Sequence, residues 1–481
     1  MAYKNGNRYQ ISLLPSSIED YISVDDPVRA YDAFVEALDF EALGIEIDEE
    51  KVGNSRYNPK AMLKLFVYGY SYGVNTSRKL EKALHHNLSF IWLMGGLKPN
   101  FKTISEFRRK NKKALVKVLK QCARMCIKLK LITGNILFVD GTKIRANAGI
   151  KNSWTRNGCE KKLKKIDKRI DAIILENEKL DIEEAGDPSL ITMEKELSNQ
   201  KVLKTKMESI LKELQETNRH SINTVDCNCE RMNSIQGTHA GYNVQNVVDE
   251  KHGLIVNTDV VNDNNDLYQF EKQISKANEV LEKKCDTACG DAGYSKTEEL
   301  EKVDKKNIKV VVPSARQRHK EKKEVSEFDK ENFLYDYEKD CYICPMGHKL
   351  TYRFTRKKKK SKAYRIKKGY LCKNCPHFGK CTTNKRTGRE ISRLLNEDLR
   401  IKYEKQYEQK NSQDIYKLRK QKVELPFGHI KRNLGIRSFL LRGFEGVNAE
   451  SSLFSTCFNL SRMITILGVT GLISSFSKIM T

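Results

Sequence analysis

The chain has 481 residues, with 88 Lys and Arg against 62 Asp and Glu, a formal net charge of +26 and a pI near 9.4. That length supports a large core and about three or more folding units, which excludes a small disulfide-stapled module. The charge excess is large for a merely soluble, lysine-rich protein and favours nucleic acid as partner, because each neutralised phosphate releases counterions.

The opening residues MAYKNGNRYQ lack an apolar signal segment. The uncharged run Met463–Ser477 is too short and too rich in Gly, Ser and Thr for a membrane span. A cytoplasmic location is expected, with the 13 cysteines as reduced thiols or metal ligands.

Residues 1–130 read as a helical domain for DNA binding or support. Asp25-Asp26-Pro27 opens a helix through Ala42, Asn58-Pro59 opens a second, and Thr76-Ser77 caps a third. Thr103-Ile104-Ser105-Glu106 fits a capping box and opens a long basic helix toward Lys130. Short basic helices suit a helix-turn-helix-like reader of DNA, and a plain supporting bundle fits equally well.

Residues 131–155 begin a different texture. The apolar strand Ile136–Val139 delivers Asp140 to its carboxyl end, Gly141 turns the chain, and a short strand runs from Thr142 to Ala146. Residues 156–222 form a helical hairpin insertion, with Leu163, Ile166, Ile170 and Ile173 facing Leu203, Met207, Ile210 and Leu214 across the turn Gly186–Ser189. Trp154 is a core residue or a base-stacking one.

Within residues 223–314, strands Tyr242–Val248 and Leu254–Val261 flank a turn, and Asp266 caps a helix to about Lys283. A short strand then ends at Asp291, and a helix from Thr297 leads to the strand Ile308–Val312. Three antiparallel strands, helix, strand, helix, strand is the order of an α/β core of RNase H-like fold. Residues 315–395 are a basic, cysteine-rich insertion, and residues 396–481 are helices. One runs from about Asn396 and carries Tyr416, Arg419 and Glu424; the last runs from near Val447 toward Met480.

In such a core Asp140 and Asp291 end neighbouring strands, and Glu424 comes from a helix packed on them. Three carboxylates of this kind suit two Mg²⁺ ions, with Mn²⁺ able to substitute, in phosphoryl transfer. Lys431 and Arg432 follow on the same helix as cations for a phosphate. Glu445 and Glu450 are rival carboxylates that read better as structural. No Walker-type phosphate loop is present.

The cysteines Cys341, Cys344, Cys372, Cys375 and Cys381 suit a tetrahedral Zn²⁺ site of zinc-ribbon type. Spacing alone favours the pairs Cys341/Cys344 and Cys372/Cys375, with His348 and His377 as substitutes. Cys285 and Cys289 read as strand packing.

The segments LFVDGTKIRANA, GYNVQNVVDEKHGLIVNTDVVNDNND, GDAGY and VELPFGHIKRNLGIRSFLLRGFEGVNAE resemble the DDE transposases of bacterial insertion sequences, over about Asn58–Asn459. The resemblance implies Asp140, Asp291 and Glu424 as the metal-binding triad. It also implies Cys344, Cys372, Cys375 and Cys381 as structural Zn²⁺ ligands. Tyr416, Arg419, Glu424 and Lys431 match the family's Tyr-Arg-Glu-Lys signature, with Arg419 one residue further from the glutamate than is usual. Asn243 and Gln245 resemble a polar pair in the family. The expected function is binding of the element's inverted repeats with Mg²⁺-dependent DNA cleavage and strand transfer, on double-stranded DNA, by a homodimer when two ends are paired. The rival readings are an RNase H-like nuclease without strand transfer and a non-catalytic zinc-containing DNA-binding protein.

Overall fold

A computed structural model describes residues 17–47, 56–180, 188–217, 219–234, 237–320 and 326–480. The chain divides into two units: Met1–Asp266 with Lys272–Cys285 and Lys420–Thr481, and Leu267–Glu271 with Asp286–Arg419.

The first unit opens with helices placed by their caps. Asp26 accepts from the Val28 N–H, Pro27 takes the first position, and α1 spans Pro27–Glu36. It does not reach Ala42: Asp39 caps a separate α2, Phe40–Leu43. α3, Pro59–Ser71, starts behind Asn58 as expected. The run after Thr76 is two helices, α4 (Ser77–His86) and α5 (Leu88–Leu93), because Asn87 caps the second. At Asp39 and Asn87 a short polar side chain offers the backbone an acceptor that competes with continued helix. The capping box at Thr103–Glu106 is not formed. Asn100 accepts from the Thr103 N–H at 2.9 Å, and the long basic helix is split into α6 (Phe101–Lys110) and α7 (Lys112–Lys128).

β1, Ile136–Arg145, is one strand that runs straight through Gly141, correcting the expected turn. β2 (Ser153–Thr155) pairs with β3 (Ser221–Asn223). Between them α8 (Arg156–Leu180) and α9 (Pro188–Glu216) pack through Cys159, Ile166, Met207, Ile210 and Leu214, with Trp154 part of that core. Gly186 and Asp187, read as a turn, lie outside the described residues. β4 (Glu230–Ser234), β5 (Gly237–Asp249) and β6 (Ile255–Val261) lie in the same sheet as β1. β5 pairs antiparallel with β1 on one edge, and with β4 and β6 end to end on the other. α10 spans Phe270–Leu281, and the division between units falls within it.

In the second unit β7 (Thr287–Cys289) and β8 (Lys309–Val311) pair in parallel, with α11 (Thr297–Asp304) between them in sequence. After α12 (Ala315–Lys320) comes an antiparallel sheet of β9 (Leu334–Asp336), β10 (Cys341–Ile343), β11 (Lys349–Arg356), β12 (Ser361–Ile366) and, past α13 (Tyr370–Lys373), β13 (Glu390–Leu394). Its core is Phe333, Tyr342, Leu350, Tyr364, Ile366 and Ile391. The helix expected from Asn396 through Glu424 is broken at Gln409 into α14 (Glu397–Glu408) and α15 (Lys410–Arg432). The second unit ends within α15, at Arg419.

The chain closes in the first unit with α16 (Gly443–Leu467) and α17 (Val469–Met480), separated at Gly468, whose φ is +70°. This replaces the single helix expected from Val447. α16 is the central helix of its unit, packed against α3, α7 and β6. Among the described residues no single helix is long and apolar enough to cross a membrane.

Candidate active site

Asp140 lies mid-strand on β1, half-buried and opposite Asn246 of β5. Alternation puts it on the face of Phe138 and Thr142, while Gly141 and Lys143 face the other way. Lys431 of α15 donates to the Thr142 hydroxyl. Protein packed around its ammonium lowers its pKa, and the nearby Asp140 carboxylate works in the opposite sense. The first unit therefore brings Asp140 and Lys431 together. Glu424 and Arg432, on the same helix, are exposed.

Glycine at 141 serves close approach rather than a turn. A Cβ there would lie 2.5 Å from Gln245 Nε2 and 2.8 Å from Asp266 Oδ1. That oxygen accepts from Asn243 Nδ2 at 2.7 Å and from Gln245 Nε2 at 2.6 Å. Asp266 is thus held by two β5 amides and does not cap a helix; α10 begins only at Phe270. Asn243 and Gln245 alternate with valines on β5, which is the sequence signal that they share a face. Nothing local paired them with Asp266. His239, readable as a turn residue, is buried within β5.

In the second unit Asp291 follows β7 and accepts from the Gly293 N–H at 2.7 Å, capping a short 3₁₀ turn, Ala292–Tyr294. The buried Arg419 of α15 places Nη2 3.9 Å from Asp291 Oδ2. The Tyr416 hydroxyl accepts from Arg318 Nη1 at 3.1 Å. Burial pushes the Cys289 thiol up to about 12, a neutral packed group. Of the rival carboxylates, Glu445 is exposed in the first turn of α16. Glu450 is 1% exposed, and its Oε2 accepts from the N–H groups of Leu440 (2.8 Å) and Leu441 (3.1 Å). Burial raises its pKa to about 7.

Cys344, Cys372, Cys375 and Cys381 line one small cavity of the second unit, of about 30 Å³, together with His348 and His377. Backbone N–H groups of His348 and Arg389 donate to Cys344 Sγ (3.3 Å) and Cys372 Sγ (3.4 Å). Burial, reinforced by the other three sulfurs, raises the Cys381 thiol. Cys341 is buried in β10 and does not line the cavity. Among the described residues no three His, Cys, Asp or Glu side chains stand around a common point as ion ligands. The donor types fit their ions, hard carboxylate oxygens for Mg²⁺ and soft thiolates for Zn²⁺.

These features define an α/β protein with a carboxylate paired to a cation of α15 in each unit and a cysteine cluster in its second unit. A family model described as a transposase DDE domain matches residues 343–464. A second, described as a transposase domain, matches residues 16–110. The two matches support an insertion-sequence DDE transposase, and residues 111–342 between them are matched by neither. The first match covers the four clustered cysteines, Tyr416, Arg419, Glu424, Lys431 and Arg432, and stops short of Asp140 and Asp291. A solved structure of a piggyBac transposase synaptic complex with hairpin DNA is a distant likeness, at 9% identity and a TM-score of 0.34, covering 95% of this chain and 80% of that one. No curated protein matches the chain.

Proposed function

We propose that this transposase binds the terminal inverted repeats of its element and catalyses Mg²⁺-dependent cleavage and strand transfer through Asp140, Asp291 and Glu424. The observation that carries this reading is the cation beside each strand carboxylate: Lys431 by Asp140, and Arg419 by Asp291 at 3.9 Å. A lone structural aspartate does not need such a partner; a carboxylate that shares a phosphate with a metal ion gains from one, because both charges meet the same anion. The triad would hold Mg²⁺, or Mn²⁺ in its place, which supplies an activated hydroxyl and a stabilised leaving oxygen. Lys431 and Arg432 would position the strand, with Arg419 and Tyr416 as further phosphate ligands.

The proposed core is RNase H-like, with the helical domain at 1–130 reading DNA and two protomers joining when two ends are paired. Cys344, Cys372, Cys375 and Cys381 are the proposed Zn²⁺ ligands, supported by their shared cavity and the two N–H···S contacts. Metal analysis of the purified chain should find about one zinc, lost in Cys372→Ser/Cys375→Ser.

The test of the reaction uses end-labelled element DNA with Mg²⁺, with Ca²⁺ and with EDTA. Cut ends and joined products should form in Mg²⁺ alone. Cutting without joining would support the nuclease instead.

A further inference from the structure

On the first unit, a cavity of about 210 Å³ is lined by Lys143, His220, Arg231, Asn233 and Asn264. All five side chains can donate hydrogen bonds, and among the described residues no carboxylate lines the space. Among the described residues Lys143 Nζ reaches only a backbone oxygen, that of Asn233 at 3.2 Å. The Thr238 hydroxyl occupies Asn233 Oδ1 at 2.7 Å, leaving the amide NH₂ as the donor. The nearest acid in sequence, Glu230, is already engaged by the Ser221 hydroxyl and by Arg219 Nε at 3.6 Å. Among the described residues, the side chains of Arg231, His220 and Asn264 make no hydrogen bond or ion pair.

A cavity whose five lining side chains can all donate, with two unneutralised cations, fits an anion with several acceptor oxygens. Among the described residues no Phe, Tyr or Trp lines it, and the imidazole of His220 is the one ring there, which favours a phosphate read without its base. Lys143 stands three residues beyond Asp140 on β1, roughly 10 Å along the strand, and on the opposite face. The cavity is therefore separate from the Asp140–Lys431 pair yet on the same strand.

We propose that this cavity seats a backbone phosphate of DNA flanking the reacting strand, with Lys143 and Arg231 as its cationic ligands and Asn233 and Asn264 as neutral donors. The assignment rests on the reading of the chain as a DNA-binding transposase. Such a contact positions DNA and carries no sequence information.

The test measures binding of the full chain to a short duplex of random sequence, in EDTA, by fluorescence anisotropy across a salt series. Wild type is compared with Lys143→Ala/Arg231→Ala and with Lys164→Ala/Lys165→Ala, which removes the same charge from an exposed stretch of α8. The cavity variant should bind roughly tenfold more weakly, with a salt slope shallower by about 0.9 for the one phosphate lost, and Lys143→Arg/Arg231→Lys should restore both. The α8 variant should change little. Thermal melting checks that each variant is folded, and the exposed single change Arg231→Glu gives the same reading if the double variant is not. Wild type that binds duplex no better than its cavity variant overturns the assignment while leaving the transposase reading standing. Equal losses in both alanine variants reduce it to net charge and overturn it as well. Wild type that binds no duplex at all refutes the DNA reading itself. Phosphorus NMR of inorganic phosphate gives the remaining arm: phosphate binding lost in the cavity variant, with duplex binding unchanged, would make this a free-phosphate site and overturn the DNA assignment.

Discussion

At the scale of single residues, the least expected role belongs to Gly141. Its missing Cβ lets Gln245 and Asp266 close against β1, at distances no side chain would allow. Gly141→Ala should therefore destabilise the first unit by about 1–3 kcal/mol, read as a lowered denaturation midpoint. Glu450 makes a pH prediction. Its folded pKa of about 7 lies above its ordinary value of 4.5 because burial disfavours the charge, so folding takes up a proton between those two values. The stability this group contributes is complete below about pH 4.5 and is lost as pH rises through 7. Chemical denaturation at pH 5 and at pH 7 should show wild type losing about 2 kcal/mol relative to Glu450→Gln, which keeps an acceptor for Leu440 and Leu441 but does not titrate.

At the scale of elements, what was legible depended on whether the signal was local. Asn58-Pro59 and Asp26-Pro27 mark helix starts because capping is decided within one turn, and both starts are where the sequence puts them. Helix ends were harder, since Asp39, Asn87 and Gln409 interrupt runs whose apolar periodicity continues across them. Asp-Gly at 140–141 reads as a turn by local chemistry. The pairing of β1 with β5 along nine residues, a contact between segments about 100 residues apart, overrides it. Asp140 and Lys431 were both legible as members of one site, but the hydrogen bond from Lys431 to Thr142 was not, because it depends on how α15 meets β1. The clamp of Asp266 was invisible for the same reason. α15 carries the prediction at this scale: Lys431→Met should leave duplex binding near wild type while lowering strand cleavage by roughly 10²-fold, measured in single-turnover reactions.

At the scale of the whole molecule, a charge of +26 and two transposase-family matches are what the proposed action on DNA ends rests on. The account stands or falls on whether Asp140, Asp291 and Glu424 act together, although they are supplied by different units of the chain. The most direct measurement compares wild type with Asp140→Ala, Asp291→Ala and Glu424→Ala for binding, cutting and joining of labelled element-end DNA in Mg²⁺. The account predicts that all four proteins bind the DNA and that only wild type cuts and joins it. An alanine variant that cuts as well as wild type would contradict it and move the chemistry to another site.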